Sequence, residues 1–143
     1  ENLPARALSV RLRKYPPAYI GPRRSIEPFE FQGVPVPGGA HIHYCSWASH
    51  HLPDVWPDPR RFDPYRFTPE RRAQLEKGAY VPFGGGSRRC LGAAFAQMEA
   101  VEVLRAVLSS YDVTALGEER PQVRNITSVP RNGARIRVDE RAG

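Results

Sequence analysis

No apolar run in this chain approaches the roughly 20 residues that a membrane-spanning helix needs. Cysteine is scarce. Cys45 and Cys90 are the only two, and they lie far apart, so no disulfide framework and no common zinc spacing can be read. One disulfide between them stays open as a reading. There is no signal-peptide pattern, internal repeat or low-complexity segment. No phosphate-binding loop or nucleophile motif built on serine and histidine is present either, which sets aside nucleotide-binding and triad-hydrolase chemistry. The first residue is Glu1 rather than methionine, so the chain is expected to be a piece of a longer protein.

Proline and glycine, by contrast, are plentiful, at 15 and 12 of 143 residues, and imply turn-rich structure rather than long regular elements. Hydrophobic residues at 41% and charged residues at 25% fit a soluble globular protein. The net charge is +6 and the isoelectric point about 9.8. A nucleic acid, an anionic surface or an acidic protein could answer such a charge. No basic zipper, zinc finger or RNA-recognition pattern accompanies it, so no nucleic-acid partner is expected.

Local patterns divide the chain as follows. Residues 1–14 read as a helix of uncertain start, which Tyr15-Pro16-Pro17 must end. Phe29–Phe31 and His41–Cys45 read as short strands around a turn at Pro37-Gly38-Gly39. Pro53, Pro57, Pro59, Pro64 and Pro69 leave only ordered coil between Leu52 and Pro69. Thr68 as cap with Pro69 at the first position predicts a short helix to about Lys77. Leu91, Ala94, Phe95, Met98, Val101, Leu104 and Leu108 recur at helical steps, and this stripe is expected to be buried. Residues 123–138 read as a β-hairpin whose tight turn is Asn132-Gly133. His41, His43 and Cys45 would share one face of a strand. Ordinary packing accounts for them better than a metal site, because the spacing fits no common zinc motif.

One run carries chemistry: Phe83-Gly84-Gly85-Gly86-Ser87-Arg88-Arg89-Cys90-Leu91-Gly92. It places a cysteine at the end of a glycine-rich loop, where a helix pattern begins. The unpaired N–H groups and positive end of a helix favour a charged sulfur. Glycine lets the backbone turn tightly and approach a flat ligand closely. Phe83 can cover the sulfur, and Arg88 offers a fork of donors to a carboxylate. These parts suit an axial thiolate on a haem iron and an anchor for a haem propionate.

The run resembles the haem-binding loop of the cytochrome P-450 family, the haem-thiolate monooxygenases, whose pattern is Phe-x-x-Gly-x-Arg-x-Cys-x-Gly. Phe83, Gly86, Arg88, Cys90 and Gly92 fill its fixed positions. Leu12-Arg13-Lys14-Tyr15-Pro16-Pro17 resembles the end of the family's K helix. His50, Pro53 and Trp56 keep part of a His-Arg-Asp-Pro-x-x-Trp segment, with His51 and Leu52 in place of the usual Arg and Asp. Phe62-Asp63-Pro64-Tyr65-Arg66-Phe67 resembles a Phe-x-Pro-x-Arg-Phe segment. The resemblance runs from Leu12 to about Val138 and corresponds to the C-terminal third or so of a family member.

The resemblance implies a mainly α fold with small β-sheets (α+β). The expected order is the end of the K helix, short strands, a proline-rich meander, the cysteine loop, the L helix and a C-terminal β-hairpin. Residues 1–143 would form one partial domain, with an atypical segment at 1–11. Haem b (iron protoporphyrin IX) is the implied cofactor, and Cys90 its axial iron ligand and the catalytic residue. Phe83, Gly84, Gly86, Arg88, Gly92 and Arg23 would complete the haem site. Tyr19, Ile20, Gly21, Thr127, Ser128 and Val129 correspond to places that line the substrate pocket. The implied reaction is O2-dependent oxidation of a small organic substrate.

Electrons would come from a donor protein, a ferredoxin or a flavoprotein reductase. That donor would meet the basic set Arg60, Arg61, Arg71, Arg72, Lys77, Arg88, Arg89 and Arg105 near the cysteine. With Cys90 on iron and Cys45 free, a reducing compartment follows, and a cytoplasmic location is expected. The oxygen-activating residues of the family lie upstream of everything in this chain. A truncated, non-catalytic remnant that at most binds haem is therefore the competing reading. One departure bears on it. Arg13 and Arg66 match two arginines that the family joins through a glutamate, and the glutamate's position holds Val10. Arg66 is expected to tie the proline-rich coil by bonding carbonyls or a carboxylate. Arg13 is either part of that network or a solvated cation.

Overall fold

The computed structural model describes residues 3–118 and 120–141, so Glu1 and Asn2 of the atypical N-terminal stretch lie outside the described residues. The first helix, α1, spans Leu3–Lys14. Its last bond runs from the Tyr15 N–H to the Arg11 carbonyl at 2.8 Å. Pro16 then has no N–H to continue the ladder and bars the residue before it from helical geometry. Ser9, Val10, Leu12 and Arg13 form the buried side of α1.

Two small antiparallel sheets follow. β1 (Gly21–Arg24) pairs with β4 (His41–Tyr44), and β2 (Phe29–Phe31) pairs with β3 (Val34–Val36). β4 ends at Tyr44, because Cys45 turns inward to cap α2 (Ser46–Ser49) and its sulfur accepts from the Ala48 N–H at 3.5 Å. The proline-rich stretch is coil and turns, as its prolines require, with one 3-10 turn at Pro64–Phe67 capped by Asp63.

α3 covers only Pro69–Ala73, shorter than the sequence pattern suggests. Thr68 caps it as expected, accepting from the Arg71 N–H at 3.4 Å. The helix ends at Ala73, and Leu75 beyond it packs against the aromatic core. That core is small. Val10, Trp56 and Phe67 are buried together, with the Tyr80 ring tilted at 57° against Phe67, 4.8 Å between ring centres.

α4 runs from Ala93 to Ser110. It packs against α1, yet its apolar stripe is not buried as expected: Leu91 just before it, Phe95 and Met98 are largely exposed. The described residues supply no element that covers this face.

The C-terminal segment also differs from the sequence reading. Its hairpin is β6 (Pro121–Arg124) with β7 (Thr127–Pro130), so the turn falls at Asn125, with φ of 56°, and Ile126. Asn132-Gly133 instead sits in the connection to β8 (Ile136–Glu140), which pairs with β5 (Tyr111–Ala115). The tight-turn signal was local, whereas strand partners are chosen by pairing along the whole edge. The α+β class holds, with helices and small two-stranded sheets.

Candidate functional site

The cysteine loop hangs from a buried histidine. His50 is fully buried, and its Nε2 accepts from the Val81 N–H at 2.8 Å. Nδ1 therefore carries the proton and donates to the Arg13 carbonyl at 3.1 Å. Burial in this setting pushes His50 from 6.5 down to about 4, and the nearby Arg13 charge adds to the effect. In return, Arg13 donates through Nη1 to the His50 carbonyl and through Nη2 to the Pro59 carbonyl, both at 2.6 Å. His50 and Arg13 together thus tie α1, the proline-rich coil and the start of the loop. Sequence reasoning had matched His50 to a motif without giving it this role.

From Val81 the chain turns at once, with the Gly84 N–H bonded to the Val81 carbonyl at 3.1 Å. Gly84 and Gly86 take φ of 72° and 67°, the left-handed region that favours glycine. Gly85 between them has φ of −150°, extended backbone open to any residue. A 3-10 turn at Gly86–Arg88 follows, and the Cys90 N–H closes the loop on the Phe83 carbonyl at 3.0 Å. Cys90 is left exposed two residues before Gly92, the N-cap of α4. Arg88 and Arg89 are exposed as well. Phe83 is half-buried and lines an apolar cleft of about 560 Å³ between α1 and α4, together with Ala7, Leu8, Leu12 and Leu104.

Arg23 reaches this loop from β1. Its Nη2 lies 3.9 Å from where a Cβ on Gly84 would stand, and the Tyr44 hydroxyl lies 2.7 Å from the same point. The Arg23 guanidinium stacks over the Tyr44 ring at 5.0 Å. Tyr44, which sequence reasoning missed, therefore sets Arg23 beside the loop and also covers the buried Gly21. Only the pairing of β1 with β4 sets Tyr44 opposite Gly21, so the sequence by itself held no signal for it.

The two segments expected to line a substrate pocket also meet. Ala18 bridges to Thr127, and the Ser128 N–H donates to the Pro17 carbonyl at 3.1 Å. Tyr19 and Ile20 are half-buried beside this bridge, and Ser128 and Val129 line a smaller cleft with Arg11 and Tyr15. All eight arginines and lysines of the basic set, from Arg60 to Arg105, are exposed. No cluster of three metal-binding side chains occurs among the described residues, and both cysteines are free thiols.

The model of the family described as Cytochrome P450 matches residues 11–137. The chain belongs to the cytochrome P450 family. It is 39% identical to a cyclooctat-9-en-7-ol 5-monooxygenase of Streptomyces melanosporofaciens over 73% of this chain and 23% of the relative. A putative cytochrome P450 135B1 of Mycobacterium bovis is 40% identical over 89% of this chain and 27% of the relative. Among solved structures, a cyanobacterial CYP120A1 with retinoic acid bound aligns with a TM-score of 0.85 at 34% identity, covering 96% of this chain and 32% of that one. The chain thus spans about a quarter of the curated relatives it matches.

P450 membership implies haem, and the loop fits it. The positive-φ glycines leave no side chain between backbone and a flat ligand, the Cys90 thiol is exposed, and Arg23 stands alongside. The match of the P450 model begins after Val10, and Val10 is fully buried. Arg13 is fully buried too and is no solvated cation. Burial and the like charge of Arg66 lower it from 12.5 to about 10. Arg66 is half-buried and ties the coil through one carbonyl, that of Asp58, at 2.9 Å. Among the described residues no helix is long and apolar enough to cross a membrane.

Proposed function

We propose that this chain is the haem-binding part of a P450 monooxygenase, a partial domain of an enzyme that oxidises a small organic substrate with O2. The observation that carries the reading is the loop from Phe83 to Gly92, which holds an exposed Cys90 thiol at the foot of α4 with Arg23 beside Gly84. Haem b, when bound, supplies the iron at which O2 is activated. Cys90 is the residue that would hold the iron, and its thiolate would give it electron density. The N–H groups that follow it at the start of α4 can temper that charge.

Arg88 and Arg23 are the proposed partners of the two propionates, since a guanidinium fork matches a carboxylate. Gly84, Gly86 and Gly92 would let the backbone lie close to the porphyrin, and Phe83 would cover the sulfur. Tyr19, Ile20, Gly21, Thr127, Ser128 and Val129 contribute to the substrate side, and the contact between their segments supports that assignment. The exposed basic set suits an acidic electron donor, a ferredoxin or flavoprotein reductase, whose approach such a field would speed. A reducing compartment, the cytoplasm, suits two free thiols. The relative named as a monooxygenase supports the reaction class.

The test is the carbon monoxide spectrum of the reduced, haem-loaded protein that carries this chain. A strongly red-shifted Soret band is expected in the wild type and in Cys45→Ser, and its loss in Cys90→Ser. A band that survives Cys90→Ser would refute the ligand assignment.

A further inference from the structure

The described residues gather donors without acceptors beside Val10. The α1 helix carries Arg6, Val10 and Arg13 at steps of four and three, hence on one face. Four N–H donors there and in the facing coil are cut off from solvent and make no hydrogen bond: Nε of Arg6, Arg13 and Arg66, and Nε1 of Trp56. Arg13 is fully buried, and its guanidinium lies 5.2 Å from the centre of the Trp56 ring. Trp56 in turn packs with Val10 in the core. Arg66 is near enough for its charge to act on Arg13. Arg6 stands at the rim, over the Tyr65 ring and within electrostatic reach of Glu70.

Native interiors rarely leave such donors unpaired, and like charges held together need an anion between them. The ion pairs recorded among the described residues lie elsewhere, at Arg105–Glu102, Arg137–Asp139 and Arg141–Asp112. Each Nη of Arg13 already donates to a carbonyl, and Nε is its nitrogen without a partner.

We propose that Arg13, Arg66 and Trp56 form a binding site for a small monovalent anion of the size of chloride or formate. Its ligands are the Nε–H groups of Arg13 and Arg66 and the indole N–H of Trp56. The guest must be small, because Val10, Trp56 and Phe67 around it are buried and packed. It enters from the side of Arg66, which is only half-buried. The site acts on stability rather than on the haem chemistry, by joining α1 to the proline-rich coil.

The experiment uses the haem-loaded protein that carries this chain and titrates sodium formate at constant ionic strength, held with bulky sodium gluconate. Formate should raise the melting temperature of the wild type and then saturate. At about 100 times its dissociation constant it shifts the folding equilibrium about 100-fold. Val10→Glu, which brings its own carboxylate, should melt higher in gluconate and lose the response to formate. An equal response in both proteins, or none in the wild type, would overturn the proposal. If Val10→Glu fails to fold, chloride-35 NMR decides. The wild type should broaden the chloride line, with formate or Arg66→Gln removing the effect, and no excess broadening would refute the site.

Discussion

Mild acid should loosen this chain through His50. The unfolded chain takes up a proton on this histidine near 6.5, whereas the folded chain resists it to about 4. Between those values the unfolded state binds more protons, so stability falls as pH drops from about 6.5 toward 4 and levels off below. The structure says why. Nε2 already accepts the Val81 N–H, so a proton there would set donor against donor, in a buried place next to the Arg13 charge. At 1.36 kcal/mol per pKa unit, the loss between pH 7 and pH 5 is about 2 kcal/mol. That is a large share of the stability of a small domain.

Denaturant unfolding of the wild type and His50→Gln at both pH values measures it. Glutamine offers Oε1 to the Val81 N–H, but without a ring its flexible chain holds the amide N–H less firmly on the Arg13 carbonyl, so His50→Gln should cost about 1 kcal/mol at pH 7. It should also remove most of the acid loss. His51 is likewise held below its ordinary value by burial, so a small slope should remain. An undiminished acid loss in His50→Gln would refute the reasoning.

Three further outcomes follow from the same geometry. Gly84→Ala should lower haem occupancy and melting temperature, because φ of 72° is strained and the new methyl would meet the Tyr44 hydroxyl. Gly85→Ala, in extended backbone with open space around it, should change both little. Arg88→Ala should speed haem loss in a transfer assay more than Arg89→Ala, since a charge-assisted bond is worth about 1.5–3 kcal/mol; equal rates would remove Arg88 from the propionate site. Phe67→Ala should cost about 3–5 kcal/mol by denaturant titration, as Phe67 is fully buried between Trp56 and Tyr80.

Much of the site was legible because its signals are local. The glycines between Phe83 and Gly92 and the apolar period after Cys90 predict a loop followed by a helix, and the structure has them in that order. The end of α1 at the double proline and the Thr68 cap of α3 belong to the same kind of inference. Each depends on residues within one turn of one another.

What tertiary structure alone decided involves partners distant in sequence. Arg13 could be surface or core on its sequence, and it is core because His50 and Pro59, brought over α1 by the coil, accept its donors. The Asn132-Gly133 turn lost to Asn125-Ile126 because the strand edges on either side pair elsewhere. The helical period of α4 was right, yet a period names a face and not what covers it, so Phe95 and Met98 remain exposed. Tyr44 reads as an ordinary strand residue until β1 and β4 pair and set its ring over Gly21, between Arg23 and Gly84. Local rules choose an element from short-range sterics and hydrogen bonds, whereas burial and charge pairing are properties of neighbours that only the folded chain supplies.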